Sequence, residues 1–407
     1  MSGTVVSAGL GFVFWVVAAR ALSEAEVGRD GALVATMVAL AAASQLNLAA
    51  TLPRFLPQLR GQASRVVLTA LGACSLAGLV LAAAFSLVVP SLTDSLETAA
   101  DEPVLFVLFT AGVVLMTLMA VQDAALAGVR RARWLPVEQL IYNGMRVAAL
   151  VLAAVVGLDH GIMLAWVVPL ALVLPLSARL LFADALPAHA AREREGDTAT
   201  PALTHAVLAR FLAADSIAFL MRQATTAAMP ILVLAYVGPV EAAAFTLPFA
   251  LVVAFDVVFF GAATSLTIEG AQHGARLAEL IRELIRRFLV PTLVVAVLLA
   301  VAAPVALLPF GSDYSSDGAA ALRFLALGRA VRAVLVFTEV LQRLRGFLRP
   351  VLAFSAIALI GVAVLGPLLI DAHGIAGGGA AWFAAHALAA LAVAPIGWRT
   401  LQEALKG

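Results

Sequence analysis

Residues 207–237 read VLARFLAADSIAFLMRQATTAAMPILVLAYV, an apolar run interrupted by few polar groups, among them Asp215 and Arg222. At about 1.5 Å per residue, a helix of this length is longer than the roughly 30 Å hydrocarbon core of a bilayer. A charge at bilayer depth costs about 2.5–3.5 kcal/mol on insertion scales, so it persists only where it faces a partner or a wet cavity. The stretch therefore implies that the chain crosses a membrane and that its ionisable residues within the membrane are candidates for function.

The rest of the chain extends the pattern. Of 407 residues, 63% are hydrophobic and 13% charged, with a mean hydropathy of +1.03. Soluble domains are about 45–50% apolar. Twelve apolar runs, each long enough to span, fall near 2–19, 31–52, 66–89, 104–126, 137–156, 162–182, 208–237, 242–267, 288–308, 320–341, 351–370 and 375–397. The expectation is an all-α polytopic membrane protein of about twelve transmembrane helices. The net charge of +1 carries no nucleic-acid signal, and Cys74, the single cysteine, excludes an intramolecular disulfide. Residues 4–19 with Ala19-Arg20-Ala21 have the outline of a signal peptide but no basic segment before them, and they read as an uncleaved first span.

The loops set the orientation. Nineteen of the 26 Lys and Arg fall in alternate loops and the C-terminal tail, including Arg54, Arg130, Arg131, Arg133, Arg286 and Arg287, against only Arg20, Arg29 and Arg323 on the other side. By the positive-inside rule both termini are cytoplasmic, and the expected location is the cell inner (plasma) membrane. The polar break 184–206, with Arg192-Glu193-Arg194-Glu195, Pro187, Gly196 and Pro201, reads as a flexible cytoplasmic linker between an N-terminal six-helix lobe, 1–183, and a C-terminal lobe with a short tail, 207–407. Segment 276–287 has leucines and isoleucines at helical spacing opposite its charges, the pattern of an amphipathic helix at the inner surface.

The halves repeat. Arg131-Ala132-Arg133-Trp134-Leu135-Pro136 matches Arg345-Gly346-Phe347-Leu348-Arg349-Pro350 at an offset of 214 (345 − 131), and His160-Gly161-Ile162 matches His373-Gly374-Ile375 at 213 (373 − 160). Leu22-Ser23-Glu24-Ala25-Glu26 aligns more weakly with Val237-Gly238-Pro239-Val240-Glu241 at 215 (237 − 22). Six spans is an even number, so the two lobes are expected to be parallel, related by an axis along the membrane normal and arranged around a central cavity. The histidines of the two triplets read as turn residues.

Four arginines lie within spans: Arg146, Arg222, Arg329 and Arg332. Guanidinium keeps its charge and grips phosphate bidentately, which favours an anionic substrate. Gln139, Asn143 and Arg146 share one helix face, as do Ser44, Asn47, Thr51 and the boundary residue Arg54, and as do Arg329, Arg332 and Glu339. Asp123 and Glu138 are further acids at the inner ends of spans. Arg222, Arg146, Arg329, Arg332, Arg54, Asn47 and Asn143 are therefore candidate substrate-binding residues, and Asp215, Asp256 and Glu339 candidate coupling or gating residues. The plainer reading makes Arg222–Asp256 and Glu339–Arg343 structural ion pairs and lets Glu138, Gln139 and Arg54 snorkel to the interface.

No metal-binding, nucleophile or Walker pattern occurs, so no enzyme activity, no metal and no cofactor is expected. Any active transport draws on an ion gradient, the membrane potential or the gradient of the substrate.

Residues 16–60 carry a likeness. Ala19-Arg20-Ala21-Leu22 followed by Glu26-Val27-Gly28, with Arg54 after the second span, resembles the first two spans of the oligosaccharide (O-antigen/polysaccharide) flippases of the multidrug/oligosaccharidyl-lipid/polysaccharide (MOP) exporter superfamily. The resemblance implies a lipid-linked oligosaccharide flippase for cell-surface polysaccharide biosynthesis, working by alternating access on a polyprenyl-pyrophosphate substrate. Membrane lipid and a coupling ion, H+ or Na+, are the further expected partners, and a monomer is the expected state. The alternative within the superfamily is a cation-coupled multidrug exporter, although residues 4–19 lack the acid that some of those carry in the first span.

Overall fold

The computed structural model describes residues 2–45, 48–56, 61–88, 103–194, 205–272, 277–344 and 349–406. The described residues are helical with short turns, and strands are absent among them. The long segments are α1 Ser2–Ala21, α2 Glu24–Ser44, α3 Ala63–Val88, α4 Pro103–Gly128, α5 Leu135–Val156, α6 Gly161–Arg179, α7 205–237, α8 239–272, α9 277–301, α10 Ala319–Leu344, α11 349–373 and α12 375–406. Eight stretches are long and apolar enough on their own to cross a membrane. Two of these break at Gly238 and Gly374, and α1 and the charge-bearing α10 complete twelve helical segments among the described residues. The chain is an all-α polytopic membrane protein, with aliphatic side chains such as Leu76, Leu152, Val155 and Leu391 exposed where lipid would be.

Local sequence explains the boundaries. Ser23 and Glu26 form a capping box: Glu26 N–H donates to Ser23 Oγ at 3.3 Å and Ser23 N–H to Glu26 Oε2 at 3.0 Å, which starts α2 at Glu24, seven residues before the expected span. Breaks between spans fall at left-handed positions. His160 has φ 57 before α6 and Gly374 φ 56 before α12, a spacing of 214 (374 − 160) equal to that of the basic-loop match.

Proline acts differently here. A π-helical turn, Leu180–Ala185, continues α6 just before Pro187, and another, Ile285–Leu289, precedes Pro291. A proline ring clashes with the carbonyl four residues back and lacks an N–H, and widening the helix before it removes both conflicts without ending the helix. As a result, the amphipathic segment 277–284 is continuous with the ninth span rather than a separate surface helix.

The chain forms two compact units, one of residues 1–21 and 33–227, the other of 22–32 and 228–407. In the first, Leu52, Leu56, Val67, Cys74, Val121, Leu126 and Leu181 form a core joining the short helix Leu48–Phe55 to α3, α4 and the π turn. In the second, Phe245 stacks on Phe249 at 5.7 Å, and Phe249 meets Trp382 edge-on at 5.5 Å, tying α8 to α12. Segment 22–32 packs there too. A Cβ on Gly28 would overlap the Pro239 carbonyl oxygen, so only glycine lets the start of α2 lie against the start of α8. The expected linker, 184–206, and the lobe limits drawn from it remain a proposal. Leu186–Arg194 is helical, and 195–204 lie outside the described residues.

Candidate functional site

The first unit holds Arg146 in an aromatic cage. Its guanidinium carbon stands 4.2 Å from the Trp166 ring centroid, 4.7 Å from Phe14 and 5.6 Å from Tyr142, so α1, α5 and α6 each contribute a ring. The residue is 6% exposed, its Nε makes no hydrogen bond, and it forms no ion pair among the described residues. Gly11 of α1 borders the cage: a Cβ there would make ordinary contact with Arg146 Nη2, at 3.6 Å. Ring faces attract a cation without cancelling its charge, so the site keeps a positive charge that no described side chain compensates.

Its neighbours on α5 are committed elsewhere. Asn143 donates through Nδ2 to the Gln139 carbonyl at 2.7 Å on its own helix, and Gln139 Nε2 donates to Asp123 at 3.4 Å. Arg222 is half-buried in the part of α7 that belongs to the first unit, 5.6 Å from the Phe219 ring centroid, with Thr226 Oγ1 donating to its carbonyl at 3.0 Å. Ser44 of the expected α2 stripe meets Thr117 of α4, hydroxyl to hydroxyl, at 2.7 Å.

The second unit gathers Arg329, Arg332 and Glu339 on α10, all at most 6% exposed. Arg332 lies 5.8 Å from the Trp382 ring centroid, Glu339 acts on it electrostatically, and Arg329 and Arg332 repel each other. His386, one turn along α12, has its ring centroid 4.4 Å from that of Trp382, tilted by 43°, and its Nδ1 2.8 Å from the Trp382 carbonyl. Each unit thus buries an arginine against a tryptophan ring, Trp166 of α6 in the first and Trp382 of α12 in the second.

Of the remaining candidates, Asn47 lies outside the described residues. Arg54, Asp215 and Asp256 sit on helical backbone, but their side chains lie outside the described residues. The sequence reading missed Phe14, Trp166, Trp382 and His386. His386 was within reach of the same rule that selected the arginines, since an ionisable group inside an apolar run invites a functional explanation. The rings gave no such signal, because an aromatic in a span is ordinary.

No protein-family model matches the chain, and no curated protein matches it in sequence. Solved structures do match. An inward-facing multidrug resistance MATE family transporter of the MOP superfamily aligns with a TM-score of 0.66 at 16% identity, covering 98% of this chain and 95% of that one. The lipid II flippase MurJ in an inward closed conformation aligns at 0.67 and 12% identity, covering 99% and 89%. A MOP superfamily transporter from Pyrococcus furiosus, described as having a binding pocket of reversed polarity, aligns at 0.60 and 15% identity, covering 100% and 94%. The chain has the fold these proteins share.

Proposed function

We propose that the chain is a transporter that flips a lipid-linked oligosaccharide of the polyprenyl-pyrophosphate type from the cytoplasmic to the outer leaflet by alternating access. The observation that carries this reading is Arg146, a buried guanidinium with three aromatic faces and no carboxylate partner among the described residues. A charge left uncompensated in an apolar core is expensive, and an anionic headgroup would supply the missing counter-charge through bidentate hydrogen bonds. Arg222, Arg329 and Arg332 extend the same chemistry, and the likeness to the lipid II flippase supports it. In this reading Arg54, Asn47 and Asn143 line the substrate path, and Asp215, Asp256 and Glu339 gate it. The protein works as a monomer in the inner membrane with both termini cytoplasmic, and it makes no covalent change to its cargo.

The likeness to multidrug transporters favours a second reading, a cation-coupled exporter of amphiphilic drugs. Flipping of a labelled polyprenyl-pyrophosphate sugar in reconstituted vesicles separates the two. Arg146→Gln and Arg332→Gln should slow flipping at least tenfold, as expected for loss of one charge-assisted phosphate contact of about 1.5–3 kcal/mol. Unchanged flipping in both variants, with drug efflux abolished by Asp215→Asn or Asp256→Asn, would establish the exporter instead.

A further inference from the structure

Near the ends of α4, α5 and α6 that adjoin the basic turn 129–134, a hydrogen-bond chain runs toward two acids from both sides. Trp134 Nε1 donates to Ser177 Oγ at 3.5 Å, and the Ser177 hydroxyl donates to Glu138 Oε1. From the other side, Gln139 Nε2 donates to Asp123 Oδ2 at 3.4 Å. Donors are thereby used up on one oxygen of each carboxyl. The other two, Glu138 Oε2 and Asp123 Oδ1, are buried and receive no donor, yet the carboxyls are within hydrogen-bonding reach of each other. Glu138 is 0% exposed.

Two ionised carboxylates cannot occupy this arrangement, because acceptor would face acceptor and like charges would meet out of water. One proton resolves both conflicts. We propose that Asp123 and Glu138 form a proton-binding site of the first unit, in which a single proton taken from bulk water is shared between Asp123 Oδ1 and Glu138 Oε2 and latches α4 to α5. A metal ion is a poorer fit, since hard cations want about six or more oxygen ligands and only one oxygen of each carboxyl is open.

Among the described side chains, no basic group competes for the pair; the side chain of Arg54, on the short helix packed against α4, lies outside the described residues. Of the charged residues on the elements packed around it, Arg65, Arg130, Arg133, Arg179 and Asp184 are exposed and Arg131 is half-buried. Arg146 is held by its rings further along α5. None of these hydrogen-bonds or ion-pairs with Asp123 or Glu138. The site is independent of the substrate and of the transport proposal.

The native state then binds a proton that the unfolded chain, with ordinary carboxyls near 3.9 and 4.3, releases at neutral pH. The latch contributes fully below the unfolded carboxyl range and is lost as pH rises. The test uses the purified protein in lipid nanodiscs without substrate, read by infrared spectroscopy of protonated carboxyls and by thermal unfolding across pH. The wild type should show a buried protonated-carboxyl band at neutral pH that disappears in Asp123→Asn and in Glu138→Gln. Its melting temperature should fall toward alkaline pH more steeply than that of either variant, in which a neutral amide donates to the remaining carboxylate. A neutral-pH spectrum without the band, a band that both variants retain, or a band removed by adding Na+ at constant pH overturns the proposal. If neither variant folds, the wild-type spectra with and without Na+ decide.

Discussion

Replacing Trp166 by leucine removes the nearest face of the Arg146 cage, at 4.2 Å from the guanidinium carbon. Desolvated cation–π contacts are worth about 2 kcal/mol, and about 1.4 kcal/mol is a factor of ten, so the contact should change the unfolding constant about thirtyfold. Trp166→Leu also loses packing against Phe14, whose ring centroid is 6.1 Å away. The pair term must therefore be isolated by a double-mutant cycle with Arg146→Met. Equilibrium unfolding in mixed detergent of the wild type, the two single variants and the double variant supplies it. A coupling near 2 kcal/mol is expected. Arg146→Met alone should leave stability unchanged or raise it, since the side chain removed is a buried charge without an opposite partner among the described residues, while flipping of the pyrophosphate-linked sugar falls. A coupling below about 0.5 kcal/mol, or a stability loss of several kcal/mol with flipping intact, would refute the cage as a site kept for an anion rather than for folding.

Other outcomes follow from close packing and from burial. Gly377→Ala would drive a Cβ into the Leu369 carbonyl oxygen across the turn between α11 and α12. It should cost at least about 1–3 kcal/mol, measured against Gly72→Ala, which meets nothing within 4 Å and should be neutral or stabilising. Tyr314, in the turn helix Ser312–Asp317, is buried, and burial with the carboxylates of Glu24 and Asp313 pushes its phenol up to about 12. Its ionisation opposes folding, so the tyrosine contribution to stability is intact below pH 10 and is lost as pH rises toward 12. That alkaline component should vanish in Tyr314→Phe. The hydroxyl makes no hydrogen bond among the described residues, so this variant should lose nothing at neutral pH.

The helices were legible because a bilayer leaves a chain few options: every backbone group must be satisfied within the span, so apolar runs become helices. The Ser23–Glu26 box and the turns at His160 and Gly374 were written locally as well. What sequence spacing could not reach was the partner of each polar group on another helix. Periodicity put Gln139, Asn143 and Arg146 on one face, but their partners differ: a carboxyl on α4, a carbonyl on the same helix and a ring on α6. Glu138, which the plainer of two readings let snorkel, is fully buried because Ser177 and Asp123 come to it from two other helices. The smooth passage of α9 through Pro291 was likewise hidden, since a π turn costs a widened helix and leaves no mark in the hydropathy.

The placement of 22–32 in the second unit has a consequence for the order of events at the ribosome. Gly28 meets Pro239, which is made 211 residues later (239 − 28). At about 5–20 residues per second, roughly 10–40 s pass before the partner exists. For that interval segment 22–32, flanked in sequence by both parts of the first unit, lacks the α8 surface that it packs on. A premature stop anywhere before α8 therefore should yield a chain whose α2 start, though capped locally, lacks its packing partner, a natural handle for membrane quality control.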